Sequence, residues 1–318
     1  MTEPIRWAVL GTANIAARAF LPAMREAGGQ AVVVGSRDPD RARSWAAANE
    51  VQRAADYAGA LTDPAVQAVY IALPNHEHAT WAAAALAAGH AVLCEKPLGL
   101  DASEVSALLS GLAPDALLWE SFVFPFHPQT ALLHAHLDAL GGLREIVSEF
   151  HFNVTNTANI RWSATLGGGA LMDVGCYPIR LARLLFDAEP EASSARAFGA
   201  HGVDADIAAV VDFPEQRRLV LSAGMRRAGS TLTRLIGPDG ELRVSNPFHP
   251  RSGDTVERWS DGELVESWPA AEGTAFRHAA AHVHEVLRGE VAPRYLAARD
   301  SLGNARAIDL IRSSWEMT

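Results

Sequence analysis

Apolar runs of strand length recur through the first third of the chain, at residues 5–10, 31–35, 68–73, 91–94 and 116–119. Between them lie stretches with helical character, at 14–27, 39–49, 76–88 and 103–110. Runs that are apolar on both faces and separated by helices predict a parallel sheet covered on each side. The punctuation agrees. Asp38-Pro39 starts one helix with proline in its first turn, Ala88-Gly89 stops another, and Asp101 and Glu104 have capping-box spacing. The pattern predicts a doubly wound α/β domain whose ligand crevice lies at the C-terminal ends of its strands.

The pattern changes after about residue 140. Residues 143–154 alternate through one long strand, with Ile146, Ser148, Phe150 and Phe152 on the face opposite their neighbours. Runs at 207–213, 219–223, 231–236, 241–244 and 263–268 follow, separated by turn residues such as Gly237-Pro238-Asp239-Gly240. They predict an open, mostly antiparallel sheet of at least five or six strands. One helix, 169–186, interrupts the sheet, and two more, 275–288 and 298–315, close the chain. The expected organisation is a nucleotide-type domain at 1–121 and an α+β domain at 122–318.

The chain has 318 residues, enough for two cores, and its 49% hydrophobic and 20% charged composition is that of a globular protein. A net charge of −10 without a basic stripe argues against nucleic-acid or anionic-membrane partners. Only Cys94 and Cys176 occur, each inside a predicted core element, so buried thiols are expected rather than a disulfide framework. A core strand begins within five residues of the start, and the uncharged run 79–91 is too short to span a bilayer. The expected compartment is the cytoplasm.

The turn after the first strand reads Gly11-Thr12-Ala13-Asn14-Ile15-Ala16. This strand–turn–helix arrangement can hold a pyrophosphate at a helix N-terminus. Gly11 suits the tight turn, Ala13 leaves room for close backbone approach, and Ala16 allows close helix packing. Any βα unit with small residues at its bend would look similar. After the second strand comes Gly35-Ser36-Arg37 in place of an acidic residue that would bind a free ribose 2′-hydroxyl. Ser36 can donate to a 2′-phosphate and Arg37 can pair with its charge, which favours NADP(H) over NAD(H). The alternative for Arg37 is a solvated charge beside Asp38 and Asp40.

Three further segments carry candidate chemistry. Leu73-Pro74-Asn75-His76-Glu77-His78 ends the strand run 68–73, and Cys94-Glu95-Lys96-Pro97 ends the run 91–94. The third, from Leu166 through Gly167-Gly168-Gly169 to Tyr177, opens the long helix. Asp173 and Tyr177 are four residues apart and share a helical face. Gly175 between them costs the helix roughly 1 kcal/mol relative to alanine. Either a ligand or a tight helix–helix crossing would account for it.

The segments 11–16, Glu95-Lys96-Pro97, Glu120-Ser121-Phe122, Phe126-His127-Pro128-Gln129 and 167–178 resemble the glucose–fructose oxidoreductase / inositol dehydrogenase / MocA family. The resemblance is nearest the branch containing dimeric dihydrodiol dehydrogenases, and it covers most of residues 5–190. It implies that Lys96 lies between nicotinamide and substrate. It also implies that Tyr177, a position often held by histidine, is the proton donor or acceptor. Ser121 and Pro125 depart from the alanine and basic residue common in the family. The family includes catalytically silent regulators, so the fold alone does not guarantee turnover.

Hydride transfer from a carbinol needs a group that takes the hydroxyl proton. A free tyrosine, with its ordinary pKa of about 10, needs cationic neighbours for that task; Lys96 and an oxidised nicotinamide would supply them. Asp173 can hold the Lys96 ammonium or a substrate hydroxyl. Glu95 is expected on the nicotinamide ribose, with Leu73, Pro74 and Asn75 lining the crevice and His78 touching cofactor or substrate. His127 is a further candidate by position. Arg161 and Trp162 would cover the pyrophosphate or the substrate, the alternative for Trp162 being a packing anchor. His278, His282, His284, His134 and His136 lack accompanying cysteines or acids, so solvated helix histidines are expected and no metal site. The expected activity is NADP(H)-dependent oxidation or reduction at a secondary alcohol or ketone of a sugar, polyol or cyclic diol. The alternatives are a silent nucleotide-sensing regulator and a hydrolase or epimerase that oxidises its substrate transiently. A sheet with one open face predicts a homodimer.

Overall fold

A computed structural model describes residues 3–318. The first sheet contains β1 (Ile5–Leu10), β2 (Gly29–Gly35), β3 (Arg53–Ala55), β4 (Ala68–Ile71), β5 (Ala91–Cys94) and β6 (Leu118–Glu120). Its order is β3-β2-β1-β4-β5-β6 and every pairing is parallel. This is the order of a dinucleotide-binding sheet, reversing direction between β1 and β4. The helices between the strands are α1 (Leu21–Glu26), α2 (Pro39–Ala48), α3 (Tyr57–Leu61), α4 (His78–Ala87) and α5 (Ala102–Ser110). A π-helical turn, Ala16–Phe20, leads into α1.

The local chemistry behaves as its spacing requires. The Asp38 carboxylate accepts from the Asp40 and Arg41 N–H groups and starts α2 with Pro39 in its first turn. Asp101 accepts from the Glu104 N–H, and Glu104 reaches back to the Leu100 N–H at 2.6 Å. The predicted runs correspond to β1, β2, β4, β5 and β6 with small differences at their ends. The short β3 went unread because Arg53-Ala54-Ala55 has neither apolar run nor alternation.

The second sheet has ten strands. They are β7 (Glu145–Asn153), β8 (Ala192–Ala200), β9 (Val203–Phe213), β10 (Arg217–Gly224), β11 (Arg226–Ser230), β12 (Thr233–Gly237), β13 (Gly240–Val244), β14 (Thr255–Ser260), β15 (Glu263–Pro269) and β16 (Trp315–Met317). The order is β15-β14-β13-β12-β7-β10-β9-β8-β16, with β11 also pairing with β7. Most neighbours are antiparallel, but β7–β10 and β16–β8 are parallel. With these strands lie α6 (Pro128–Ala135) and α7 (Cys176–Phe186), the latter preceded by a π-helical turn, Leu171–Gly175.

The chain divides into two compact units. One comprises the described residues through Val123 together with Phe276–Leu302, and the other Phe124–Ala275 with Gly303–Thr318. The expected single boundary between 121 and 122 therefore needs a correction. α8 (Ala275–Leu287) and the start of α9 (Ala297–Ser314) return to the first unit. There Phe276 meets Tyr70 edge-on, the Trp7 indole donates to His284 Nε2 at 2.9 Å, and the Trp119 indole donates to the Arg294 carbonyl at 2.8 Å. Three buried aromatic groups of the parallel sheet depend on this late segment. Cys94 and Cys176 are both buried and neither is in a disulfide. No helix among the described residues is long and apolar enough to cross a membrane.

Candidate active site

In the first unit the candidate residues gather at the C-terminal ends of β1, β2, β4 and β5. Gly11 follows β1 with φ +98°, and a Cβ there would lie 2.3 Å from the Ala72 carbonyl oxygen. The turn therefore needs glycine on two counts, left-handed backbone and close passage beneath the β4 exit. Thr12 and Ala13 are half-buried and Asn14 and Ile15 exposed, so the turn lies at the surface where the helical segment begins. Ser36 is buried while Arg37 is exposed. Arg41, in the first turn of α2, was not singled out from sequence. The Tyr57 phenol feels the charges of both Arg37 and Arg41, although burial and Glu77 keep its pKa above the usual range. A pyrophosphate at the Gly11 turn and a 2′-phosphate beside Arg37 fit these residues.

Around β4 and β5 the polar groups brace one another. Leu73 is buried, whereas Pro74, Asn75 and Lys96 are half-buried. Glu95 accepts the Tyr70 hydroxyl at 2.6 Å, and Tyr70 stacks on Phe20 with centroids 3.8 Å apart. Burial raises the Glu95 pKa, with Lys96 and the Tyr70 bond acting against it. Glu120 accepts the Leu98 N–H at 2.9 Å and so fixes the chain just beyond the cis Lys96-Pro97 bond. Neither Tyr70 nor Glu120 was singled out from sequence as a support for this segment.

His78 is corrected from a direct contact to an internal brace. Its ring is 1% exposed, with Nδ1 2.7 Å from the Pro97 carbonyl and Nε2 2.8 Å from the Leu73 carbonyl. The ring sits between the exits of β4 and β5, and in its neutral form its one N–H donates to one of the two carbonyls at a time. Desolvation lowers its pKa to about 4 despite those two carbonyls.

In the second unit the Gly-rich segment is shaped by close approaches. A Cβ on Gly168 would lie 2.3 Å from the Arg161 carbonyl oxygen, and Gly169 has φ +114°. The Asp204 carboxylate, from β9, occupies the space beside Gly169 and accepts the Leu171 N–H at 2.7 Å. It caps the helical segment that carries Asp173 and Tyr177, and burial pushes its pKa up to about 6 against bonds from Leu171 and Ala170. A Cβ on Gly175 would lie 3.0 Å from the Leu171 side chain of its own helical segment and 3.5 Å, an ordinary contact, from Ala223 of β10.

Asp173 accepts Arg161 Nε at 2.5 Å, a pairing not foreseen in the sequence. Trp162 is 7% exposed and packs in a cluster with Ala170, Val203, Ala205 and Met225, so it is a packing anchor rather than a cover. Tyr177, 5% exposed, has its ring among aromatic neighbours. Phe248, Phe150 and Phe124 lie at centroid distances of 5.3, 5.4 and 6.5 Å, and His249 stands edge-on at 5.4 Å. His249 was also missed, because nothing in the sequence links the β13–β14 loop to α7.

The remaining histidines need two corrections. His127 is buried: its Nδ1 accepts the Gln129 N–H and caps α6, while Nε2 lies 3.2 Å from the Gly273 carbonyl. His282 and His284 are buried rather than solvated. His282 Nε2 accepts the Arg294 N–H, and His284 accepts from Trp7 while its Nδ1 faces the Ala27 carbonyl. They complete hydrogen bonds inside the first unit.

Comparison with known proteins follows the same division. Residues 5–114 match the NAD-binding Rossmann-fold domain of the GFO/IDH/MocA oxidoreductase family, and residues 135–243 match a C-terminal domain of that family. A solved 3-ketoreductase from Actinomadura kijaniata, in complex with NADP and TDP-benzene, is 30% identical, with 99% of each chain covered and a TM-score of 0.87. The D-xylose 1-dehydrogenase (NADP(+)) 2 of Haloferax volcanii is 32% identical, with 97% of this chain and 96% of that protein covered. The trans-1,2-dihydrobenzene-1,2-diol dehydrogenase of Xenopus laevis is 27% identical over 89% of each. The parallel sheet with its Gly11 turn, the second sheet and these matches together establish that the chain belongs to the GFO/IDH/MocA family of NAD(P)-dependent oxidoreductases.

Proposed function

We propose that the protein is an NADP(H)-dependent oxidoreductase acting on a secondary alcohol, or the corresponding ketone, of a sugar, polyol or cyclic diol. The observation that carries the reading is Tyr177. It is a phenol held among three phenylalanine rings on a capped helix, one turn from an Asp173 carboxylate fixed by Arg161. Such a setting excludes water and orients a hydroxyl, as a general acid–base group requires. When bound, the nicotinamide accepts or delivers the hydride. Gly11, Thr12, Ala13, Asn14 and Ile15 would hold the pyrophosphate, and Ser36 and Arg37 the 2′-phosphate. Leu73, Pro74, Asn75 and Glu95 would line the nicotinamide side, with His78 bracing them from within. In this reading Lys96 polarises the reacting oxygen and Tyr177 gives or takes its proton.

The two relatives named with NADP, the ketoreductase structure and the xylose dehydrogenase, support the cofactor preference. Two buried thiols outside any disulfide support a reducing compartment, and we assign the protein to the cytoplasm. The test is steady-state turnover with NADP⁺ and NAD⁺ against aldoses, polyols and cyclic diols, preceded by a thermal-shift screen with both reduced cofactors. Cofactor-induced stabilisation without net turnover would favour the regulator or the transient-oxidation alternative.

A further inference from the structure

His249 has no role in the proposed chemistry, yet the second unit holds it with unusual care. Phe248 is fully buried, stacks on Phe150 with centroids 5.5 Å apart and planes within 7°, and also meets Phe124 and Tyr177. The next residue, His249, is half-buried and stands against the Tyr177 ring with an interplanar angle of 69°. Both backbone groups of His249 are fixed by one side chain: its N–H donates to Asn246 Oδ1 at 3.1 Å, and its carbonyl accepts Asn246 Nδ2 at 2.7 Å. Asn246 is held in turn, donating to Asp254 Oδ2 at 3.0 Å and accepting Gln129 Nε2 on its carbonyl at 3.0 Å. Asp254 also accepts the Arg251 N–H, and Pro247 and Pro250 limit the backbone on either side.

Residues 245–254 join the antiparallel neighbours β13 and β14, a connection that two to five residues usually make. The longer loop is therefore built for something besides closure, and its bonds give it one shape. Phe248 fills the core with hydrocarbon, whereas His249 sets a half-buried imidazole edge-on to the tyrosine, with Phe150 also edge-on to it at 6.3 Å. Phe124, Phe150 and Phe248 present hydrocarbon to their surroundings, and a substrate hydroxyl pressed against them would lose water without a new partner. An imidazole can donate or accept in that position.

We propose that His249 is a specificity-determining residue that contacts substrate, its ring hydrogen-bonding a hydroxyl close to the carbinol that faces Tyr177. The ligand class is a polyhydroxylated sugar or a vicinal diol. This rests on the reading of Tyr177 as the proton-transfer group.

His249→Phe keeps a ring for packing and removes the polar contact, while His249→Asn restores a donor and an acceptor. For a substrate carrying the contacted hydroxyl, His249→Phe raises KM roughly 10- to 100-fold, the scale of one buried hydrogen bond. It leaves kcat and the NADPH Kd near wild type, and His249→Asn recovers part of the loss. A deoxy analogue lacking that hydroxyl has the same KM with wild type and with His249→Phe. An equal rise in KM for the substrate and every deoxy analogue, or no rise at all, overturns the proposal. Should wild type turn over no aldose, polyol or cyclic diol, the reading of Tyr177 falls separately. His249 is then decided by the ¹⁵N imidazole signal that disappears in His249→Phe. That signal shifts when the same sugars and diols are added to the NADP⁺-loaded protein, and its staying fixed overturns the proposal.

Discussion

Tyr177 and Lys96 are distinguished by what each can lose. Removing the phenol hydroxyl in Tyr177→Phe keeps the ring among Phe124, Phe150 and Phe248, so the expected loss is chemical: turnover falls roughly 10²- to 10⁴-fold with NADPH affinity barely changed. Lys96→Met lowers turnover as strongly and also weakens cofactor binding. Pre-steady-state hydride transfer with fluorescence titration of NADPH separates the two effects, and near-normal turnover in Tyr177→Phe would move proton transfer elsewhere. Arg37→Ala is expected to cost roughly 1–3 kcal/mol of NADPH affinity and little for NADH. Equal losses for both cofactors would show that Arg37 does not read the 2′-phosphate. Lys96, Asp173 and Tyr177 are nominated by the sequence because they lie in contiguous motifs. The settings of His78, Glu120 and His249 were not legible, since their partners (the Leu73 and Pro97 carbonyls, the Leu98 N–H, the Tyr177 ring) are reached only through the fold.

The helical segment from Leu171 to Phe186 shows how an element can depend on a distant carboxylate. Asp204 accepts the Leu171 N–H from another strand, and Gly169 leaves the room it needs. Its folded pKa of about 6 lies above the ordinary carboxylate value, so the fold binds the proton more tightly than the unfolded chain does. The resulting stabilisation is fully present below about pH 4 and is lost as pH rises through about 6. Asp204→Asn, neutral at every pH and still an acceptor, should remove this dependence, whereas Asp204→Ala should cost about 1–2 kcal/mol at all pH values through the unpaired N–H groups. Denaturant midpoints between pH 4 and 7.5 check both. A pH-independent difference between wild type and Asn would refute the assignment. Strands with apolar runs were legible at this scale. β8 was not, because its inward positions Ser193, Ala195 and Ala197 carry small side chains that leave no hydrophobic period, and the parallel β7–β10 pairing leaves no mark on the local pattern.

For the molecule as a whole, the face of the second sheet opposite its buried side carries the next assignment. The register sets Val210 beside Val220 and Val220 beside Val147, and then Arg234 beside Arg243. Val210 is 38% exposed, and Arg234 and Arg243 both pair with Glu241. A short valine stripe bordered by charge suits a self-complementary contact, and the expected outcome is a homodimer through this face. Light scattering at micromolar concentration should give twice the 34.0 kDa chain mass, and Val220→Glu should give a monomer. A wild-type monomer would rule it out. The architecture of each sheet was legible from periodicity, but the return of Phe276–Leu302 to the first unit was not, since nothing local marks which core a helix will join.

That return has a consequence for how the protein is made. A ribosome that has released only the first 123 residues has produced a sheet whose Trp7 indole lacks His284 and whose Trp119 indole lacks the Arg294 carbonyl. The Tyr70 ring likewise waits for Phe276. The dinucleotide-binding unit is therefore first to be translated and among the last to be completed, and its nascent form needs shielding while the second unit emerges. A fragment ending at Val123 should expose apolar surface to a dye such as ANS and precipitate on expression alone. Supplying the segment 276–302 through a short linker should restore a cooperative thermal transition, and a soluble, cooperatively folding fragment without it would contradict this order of assembly.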